Sequence, residues 1–287
     1  MFDTADTTLT AFTASDGENL AVYDWPLADS ALQRGTVLLV HGLGEHAGRY
    51  GGVAEHLNAW GFAVRGYDQY GHGRSGGPRG GLTSDLRLLE DLGDLVDSTR
   101  ARMPAGRPLV LLGHSMGGLV VARFVALGLR TVDALVLSSP ALDPGLSAVQ
   151  KLLLATLPRI APNLRVGNGL DAQYLSHDPA VVAAYRADPL CHDRISARLA
   201  RFIAEGGAAT LAHAAHWPVP TLLMWAGADR LVNPAGSRAF AAAAPRQVVQ
   251  SHCFDALYHE LFNERADLVP PVWALLHQWL DRRCPGL

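Results

Sequence analysis

A serine flanked by glycines is the feature of this sequence best suited to chemistry. Residues 113–118 read Gly-His-Ser-Met-Gly-Gly, so that Ser115 has a glycine two positions before it and two after it. The apolar run 108–112 (PLVLL) precedes this motif, and a helical pattern follows it. A G-x-S-x-G motif between a strand and a helix is typical of a sharp turn that presents a nucleophilic hydroxyl. Because serine is a poor nucleophile at neutral pH, a base must lie near Ser115.

The chain order of the remaining candidates indicates a base and an acid. Among twelve histidines, His259 follows the last predicted strand and precedes the final helix, where the base of a Ser-Asp-His order falls. Asp229 stands after the preceding strand, where its carboxylate would fix the tautomer of His259 and stabilise the imidazolium. Asp143 and Asp255 are weaker candidates for the acid.

Acyl transfer also needs two N–H donors for the developing oxyanion. The residue after the nucleophile, Met116, supplies one backbone N–H, and Leu43 is best placed for the other. Leu43 lies between Gly42 and Gly44 in the loop after the strand 36–40, and glycines let a backbone approach a site closely.

The elements that must position these residues are strands alternating with helices. The near-continuous apolar strands predict a mostly parallel α/β sheet covered by helices on both faces. The first 25 residues predict an antiparallel hairpin at the sheet edge. Further predicted strands are 36–40, 62–66, 108–112, 132–137, 220–225 and 247–254, and predicted helices are 49–60, 82–102, 117–127, 234–244 and 266–283.

The alternation is interrupted once. Residues 142–217 contain Ala- and Leu-rich helical pieces separated by proline and glycine, with no clear strand. We therefore expect a hydrolase core of residues 1–141 and 218–287, split by a helical cap at 142–217. The ends of this insertion return to neighbouring strands of one sheet, so the cap is not an independent domain.

Composition excludes several functional classes. The net charge of −3 argues against a nucleic-acid partner. The three cysteines form no C-x-x-C pair, and neither a metal nor an organic cofactor is predicted. The acidic N-terminus is unlike a signal peptide, and no long uncharged apolar stretch occurs. These features predict a cytoplasmic protein.

Several motifs together resemble the monoacylglycerol lipase and lysophospholipase-like branch of the α/β-hydrolase superfamily. GHSMGG is shared by many enzymes of that fold. The motif HGLGEHAGRY, together with PNLRVG and YRADPL from the insertion, is much more specific. The matching pieces cover nearly the whole chain: HGLGEHAGRY (41–50), YDQYGHGRS (67–75), GHSMGG (113–118), PNLRVG (162–167), YRADPL (185–190), GADRLV (227–232) and YHEL (258–261).

The resemblance implies an α/β-hydrolase fold with a mobile helical cap, or lid, over an acyl tunnel, and single-chain lipid esters as substrates. It supports Ser115, Asp229 and His259 as the triad, with Leu43 and Met116 as oxyanion donors. It also implies that Glu45, Arg49 and Tyr185 lie near the polar head-group end, and His114 beside the nucleophile is a further candidate substrate-binding residue.

One departure from the family keeps alternatives open. Some members have a second histidine three residues after the catalytic one, which helps to hold glycerol, whereas this chain has Phe262 there. The substrate is therefore a monoacylglycerol, a lysophospholipid or a short-chain ester. A thioesterase, an acyltransferase, a serine aminopeptidase and a receptor-like binding protein remain as rival functions. Epoxide hydrolases and dehalogenases are disfavoured because they use Asp at the position of Ser115.

The predicted first cap helix carries more apolar residues than one buried face needs. They are Leu146, Val149, Leu152, Leu153, Leu154 and Leu157, with Gln150 and Lys151 on a polar side. This helix either packs wholly on the core or leaves part of its surface exposed at the tunnel mouth. In the second case it would make transient contact with membranes or micelles, as exposed apolar patches often do.

Overall fold

The computed structural model describes residues 7–29, 32–143, 145 and 155–285. Residues 155–160 are helical in addition to the elements named here. The strands are β1 (Thr8–Thr13), β2 (Asn19–Trp25), β3 (Gly35–Val40), β4 (Phe62–Tyr67), β5 (Leu109–His114), β6 (Ala134–Ser138), β7 (Arg165–Gly167), β8 (Arg194–Ser196), β9 (Thr221–Ala226) and β10 (Val249–Phe254). The helices are α1 (Gly51–Ala59), α2 (Arg87–Arg102), α3 (Met116–Ala126), α4 (Pro179–Ala187), α5 (Ala197–His213), α6 (Pro234–Ala243) and α7 (Pro270–Arg283).

Eight strands form one sheet in the order β1-β2-β4-β3-β5-β6-β9-β10. The pairs β1–β2 and β2–β4 are antiparallel, and every other neighbouring pair is parallel. The predicted α/β class is therefore confirmed, including the antiparallel hairpin at the edge.

The sheet is buried on both faces because its central strands are apolar throughout. Every residue of β3, β5 and β9 is buried. Successive side chains of a strand point to opposite faces. Leu38 and Leu111 accordingly pack in one hydrophobic cluster with residues of α2, α3 and α5. Val37 and Val110 pack in the other with residues of α1 and α7.

The parallel strands bring their carboxyl ends to one edge of the sheet, where ligands bind in open α/β folds. Ser115 directly follows β5, Asp229 lies three residues after β9, and His259 lies five residues after β10. The loop beginning at His41 follows β3, the neighbour of β5. The four segments predicted to carry the chemistry therefore leave the sheet at the same edge.

Two local predictions were wrong. The insertion does contain strands, because β7 and β8 form a two-stranded antiparallel pair. Each is only three residues long, which leaves too few positions for a periodic pattern. Helix α2 begins at Arg87 rather than near residue 82, since residues 83–86 form a bend in which Ser84 Oγ accepts the N–H of Leu86.

The insertion between β6 and β9 contributes to the core as well as covering it. Leu199 and Phe202 of α5 belong to the same hydrophobic cluster as Leu119 of α3. The expected boundaries of the cap at 142 and 217 remain a prediction.

Most of the predicted first cap helix lies outside the described residues, namely Leu146, Val149, Gln150, Lys151, Leu152, Leu153 and Leu154. Leu157 is described and half-buried. Among the helices that the structure describes, none is both long and apolar enough to cross a bilayer.

Candidate active site

The turn that carries Ser115 is strained in the way a nucleophile turn requires. Ser115 has φ +54° and ψ −120°, a conformation that costs about 1–3 kcal/mol for a non-glycine residue. Its N–H donates to the carbonyl of Ser138 at 3.0 Å, which anchors the turn to β6. A Cβ on Gly117 would overlap the carbonyl oxygens of Val40 and His41. The glycine therefore lets α3 begin directly against the end of β3.

His259 and Asp229 form a buried pair. The Nδ1 of His259 lies 2.6 Å from Asp229 Oδ2, and their side chains are 4% and 3% exposed. Because an ionised carboxylate can only accept, Nδ1–H is the donor and Nε2 keeps its lone pair. The other oxygen, Asp229 Oδ1, accepts the backbone N–H groups of Leu231 and Val232 at 2.8 and 3.0 Å. The carboxylate is thus held rigidly with one oxygen facing His259.

The pair shifts both pKa values in the direction of an ion pair. Burial alone would lower the pKa of His259, but the charge and hydrogen bond of Asp229, together with the charges of Glu260 and Glu45, raise that pKa. Burial alone would raise the pKa of Asp229, but the charge and hydrogen bond of His259, together with the two backbone N–H groups, lower that pKa. His259 is therefore a stronger base than an isolated buried imidazole.

The alternative acids have other partners. Asp143 accepts from the side-chain amide of Asn233 at 2.7 Å, and Asp255 accepts from the thiol of Cys253 at 3.2 Å. The structure brings Asp229, and neither of these two, into hydrogen-bond distance of His259.

Ser115 and His259 line one cleft. Its wall is apolar on the side of the insertion and polar toward the core. The other lining residues are Gly42, Leu43, Glu45, His114, Leu170, Ala172, Leu175, Tyr185, Leu231 and Glu260. The lining therefore offers both apolar contacts and hydrogen-bonding groups beside the hydroxyl of Ser115.

The two predicted oxyanion donors flank Ser115. A Cβ added to Gly42 would lie 3.1 Å from the Cβ of Ser115, so the backbone preceding Leu43 passes directly beside the nucleophile. Met116 is the first residue of α3, and N–H groups in a first helical turn have no acceptor within the helix. The loop is braced by His41, whose Nδ1 donates to the carbonyl of Gly42 at 2.7 Å.

A family model described as serine aminopeptidase S33 (Hydrolase_4) matches residues 31–266. The chain belongs to this family. The monoacylglycerol lipase of Mycolicibacterium smegmatis is 40% identical over 234 residues, which are 80% of this chain and 83% of that relative. Human monoglyceride lipase is 29% identical over 273 residues, 94% of this chain and 89% of that protein.

Solved structures agree with these relatives. The crystal structure of Paleococcus ferrophilus monoacylglycerol lipase matches with a TM-score of 0.79 at 33% identity, covering 97% of this chain and 99% of that one. A soluble variant of the Saccharomyces cerevisiae monoglyceride lipase, in complex with a substrate analogue, shares the fold with a TM-score of 0.89 at 24% identity, covering 99% and 97%. The predicted family is confirmed. The protein is a carboxylic ester hydrolase of the monoacylglycerol lipase-like branch.

The polar end of the hydrolase cleft is a buried charge cluster of Glu45, Arg49 and Glu260. Arg49 Nη1 donates to Glu45 Oε2 at 2.6 Å. The guanidinium also forms a bidentate pair with Glu260 at 2.7 and 2.8 Å. Burial would raise the pKa of Glu45, but Arg49, together with His114, His41 and the N–H of Gly42, lowers that pKa to about 2. Glu45 and Glu260 reach the cleft wall, whereas Arg49 lies behind them.

Glu260 was missed as a site residue. It follows His259 within the YHEL motif, but nothing in its neighbouring sequence indicates a partner 211 residues away.

The remaining predicted head-group residues also reach the cleft. The hydroxyl of Tyr185 donates to the carbonyl of Gly44 at 3.1 Å, which connects the insertion to the oxyanion loop. Burial and the neighbouring His259 lower the pKa of His114 to about 4, so this ring is neutral at pH 7. Phe262 instead packs in the core, with its ring centre 4.9 Å from that of Trp273.

Proposed function

We propose that this hydrolase cleaves a single-chain lipid ester of the monoacylglycerol type through an acyl-enzyme on Ser115. The observation that carries the proposal is the buried His259–Asp229 pair in a cleft that Ser115 also lines. The similarity to proteins named monoacylglycerol lipase supports the substrate class.

In the acylation step the hydroxyl of Ser115 attacks the ester carbonyl while Nε2 of His259 takes its proton. The N–H groups of Leu43 and Met116 stabilise the tetrahedral oxyanion. The carbon–oxygen bond to the alcohol then breaks, and His259 returns its proton to that oxygen. In the second half His259 removes a proton from water, and the water oxygen attacks the acyl carbonyl. The ester bond to Ser115 then breaks, His259 returns the proton to Oγ of Ser115, and the fatty acid leaves.

The lining of the cleft favours an ester of a small polar alcohol. Leu43, Leu170, Leu175 and Leu231 offer an apolar surface for the acyl chain. Glu45 and Glu260 offer carboxylate acceptors for hydroxyl groups, and one guanidinium is shared between them. This polar end carries a net negative charge, which favours a neutral alcohol over a phosphate-bearing one.

The rival peptidase function has weaker support. An aminopeptidase needs carboxylates that bind the amino terminus of the substrate, and these usually come from the insertion. The acidic residues of the described insertion do not line the cleft.

Replacement of Ser115 tests the proposal. In Ser115→Ala we expect turnover of p-nitrophenyl esters to fall at least about 10³-fold and fluorophosphonate labelling to disappear, because both need the hydroxyl. Ser251→Ala, an exposed serine of β10, should retain wild-type activity. Undiminished turnover by a folded Ser115→Ala protein would refute the mechanism.

A substrate panel tests the specificity. Monoacylglycerols of increasing chain length, lysophosphatidylcholine, an acyl thioester and aminoacyl anilides should be compared by kcat/KM. We expect a monoacylglycerol to give the highest value. A preference for anilides would support the peptidase alternative, and a preference for thioesters would support a thioesterase.

We also propose that residues 142–217 act as the cap, and that part of it contacts lipid aggregates. Support comes from the exposed apolar residues Ile160, Leu164, Val166 and Leu170, which are 82%, 48%, 49% and 41% exposed. We call these four residues the cap apolar surface, and one of them, Leu170, also lines the cleft. Large exposed apolar residues close together often mark an interaction site.

A further inference from the structure

A cluster of three possible metal ligands lies between the insertion and the core. His46 follows Glu45 in the loop after β3, whereas Asp188 and Cys191 lie in the turn after α4. Nε2 of His46 is 2.8 Å from Oδ2 of Asp188. The candidate ligand atoms of all three residues lie within 4.8 Å of one another.

The donor set is chemically selective. Imidazole nitrogen, carboxylate oxygen and thiolate sulfur together suit zinc, whereas calcium and magnesium prefer oxygen alone. With zinc bond lengths of about 2.0–2.3 Å, neighbouring ligand atoms of a tetrahedral site lie roughly 3.5 Å apart. The present spacing needs adjustments of about 1 Å, which small side-chain rotations supply.

The local backbone already presents the ligands. Asp188 Oδ1 accepts the N–H of Leu190 at 2.8 Å, so Oδ2 is the oxygen left facing His46. The N–H of Cys191 donates to the carbonyl of Asp188 at 3.1 Å, which closes a tight turn. Two residues therefore separate the two ligands, the shortest separation seen between ligand pairs of structural zinc sites.

Only one ring nitrogen of His46, Nε2, has a polar partner among the described residues. The side chain of His46 is only 7% exposed, and its Nδ1 has no hydrogen-bond partner among the described residues. The polar contact of the ring therefore runs through Nε2, toward Asp188 and Cys191.

We infer that His46, Asp188 and Cys191 bind one Zn²⁺ ion that ties the insertion to the oxyanion loop. On binding, the thiol of Cys191 loses its proton to solvent and its sulfur forms a bond to the metal. Three protein ligands leave a fourth position for water. None of the three residues lines the cleft of Ser115, and the test of the site does not depend on the proposed substrate.

Cobalt substitution tests the site directly, because a cobalt–thiolate bond gives a charge-transfer absorption in the near ultraviolet. We expect this band to saturate at one equivalent of Co²⁺ in the wild-type protein, to be absent in Cys191→Ser and to persist in Cys253→Ser. Cys253 is the matched control, since it is also half-buried and contacts one carboxylate. No band in the wild type, or an unchanged band in Cys191→Ser, would overturn the inference.

Zinc affinity gives a second test that does not need the thiol chromophore. In competition with a chelator, His46→Gln and Asp188→Asn should each bind Zn²⁺ at least about tenfold more weakly than wild type, because each loses one of three ligands. Zn²⁺ should raise the Tm of the wild type but not of these variants, provided that they fold. Equal affinities in a folded variant would exclude that residue as a ligand.

Discussion

At the residue scale, the proposed mechanism depends on how firmly Asp229 holds His259. Two backbone N–H groups fix one oxygen of the carboxylate, and the other lies 2.6 Å from the imidazole. The carboxylate therefore selects the tautomer with a free lone pair on Nε2. An amide in place of the Asp229 carboxylate keeps its shape but removes its charge. It should leave the cleft intact but place the proton of His259 on Nε2, the nitrogen that must accept the proton of Ser115.

We expect Asp229→Asn to lower kcat by about 10³–10⁴-fold with little change in KM, because the amide favours the unproductive tautomer. Steady-state kinetics on a soluble p-nitrophenyl ester measures this. Asp143→Asn and Asp255→Asn are matched controls, since both carboxylates have partners other than His259. A larger loss in either control than in Asp229→Asn would reassign the acid.

The pH dependence follows from the pKa of His259. The base must be neutral to accept the proton of Ser115, and Asp229 raises its pKa above the ordinary value of 6.5. The acid limb of kcat/KM should therefore have its midpoint above about 6.5 for a substrate that does not titrate. The charged pair also stabilises the folded protein, and this contribution depends on pH in the opposite direction to activity. It is fully present below the pKa that His259 has in the unfolded chain, and it is lost as pH rises through the pKa that His259 has in the folded protein. A midpoint below 6 would contradict this assignment.

At the scale of the elements, the cluster of Glu45, Arg49 and Glu260 connects the segments after β3 and β10. One guanidinium contacts two buried carboxylates, so its removal leaves both charges unpaired. Buried pairs broken in this way typically destabilise a protein by about 3–5 kcal/mol.

We expect Arg49→Met to lower the free energy of unfolding at pH 7 by about 3–5 kcal/mol, measured by denaturant titration. The difference in free energy of unfolding between Arg49→Met and the wild type should become smaller as pH falls. In the wild type the pKa of Glu45 is lowered to about 2, and the stabilisation it contributes is lost as pH falls toward that value. Arg265→Met is the control, because Arg265 pairs with Asp267 on the surface and its removal should leave the free energy of unfolding nearly unchanged. Equal effects of the two substitutions would show that the cluster is not stabilising.

The elements also explain what could be predicted from the sequence. Apolar runs predict the central strands because their residues are buried on both faces, and the glycines around Ser115 predict its strained turn. By contrast, Arg49 and Glu260 are 211 residues apart, and His46 and Asp188 are 142 apart. Such contacts depend on how the insertion and the loops meet in three dimensions, which no local spacing encodes. The pair β7–β8 escapes prediction because each strand has only three residues, too few for a periodic pattern.

At the scale of the whole molecule, the cap apolar surface predicts a difference between soluble and aggregated substrates. Burying one large aliphatic side chain in lipid contributes about 1.5–3 kcal/mol. Ile160→Ser together with Leu164→Ser should therefore weaken vesicle binding at least about tenfold and reduce turnover of vesicle-bound monoacylglycerol. Turnover of a water-soluble short-chain ester should stay unchanged.

The control for that experiment uses exposed leucines elsewhere. Leu9 on β1 and Leu127 after α3 are 49% and 46% exposed and lie outside the insertion. Leu9→Ser and Leu127→Ser should leave co-sedimentation with vesicles at the wild-type level. If all four substitutions weaken it equally, the binding is not specific to the cap.

Gly44 gives the molecule a built-in reporter of any separation of the insertion from the core. Its carbonyl accepts both the hydroxyl of Tyr185 and the backbone N–H of His192, the latter at 2.9 Å. The amide proton of His192 can exchange with solvent deuterium only after that bond breaks. The exchange rate of this amide therefore reports how often the insertion separates from the loop that carries Leu43, and the measurement needs no ester substrate. A bound acyl chain that holds the insertion in place should slow deuterium uptake at the amide of His192. A bound zinc ion should have the same effect.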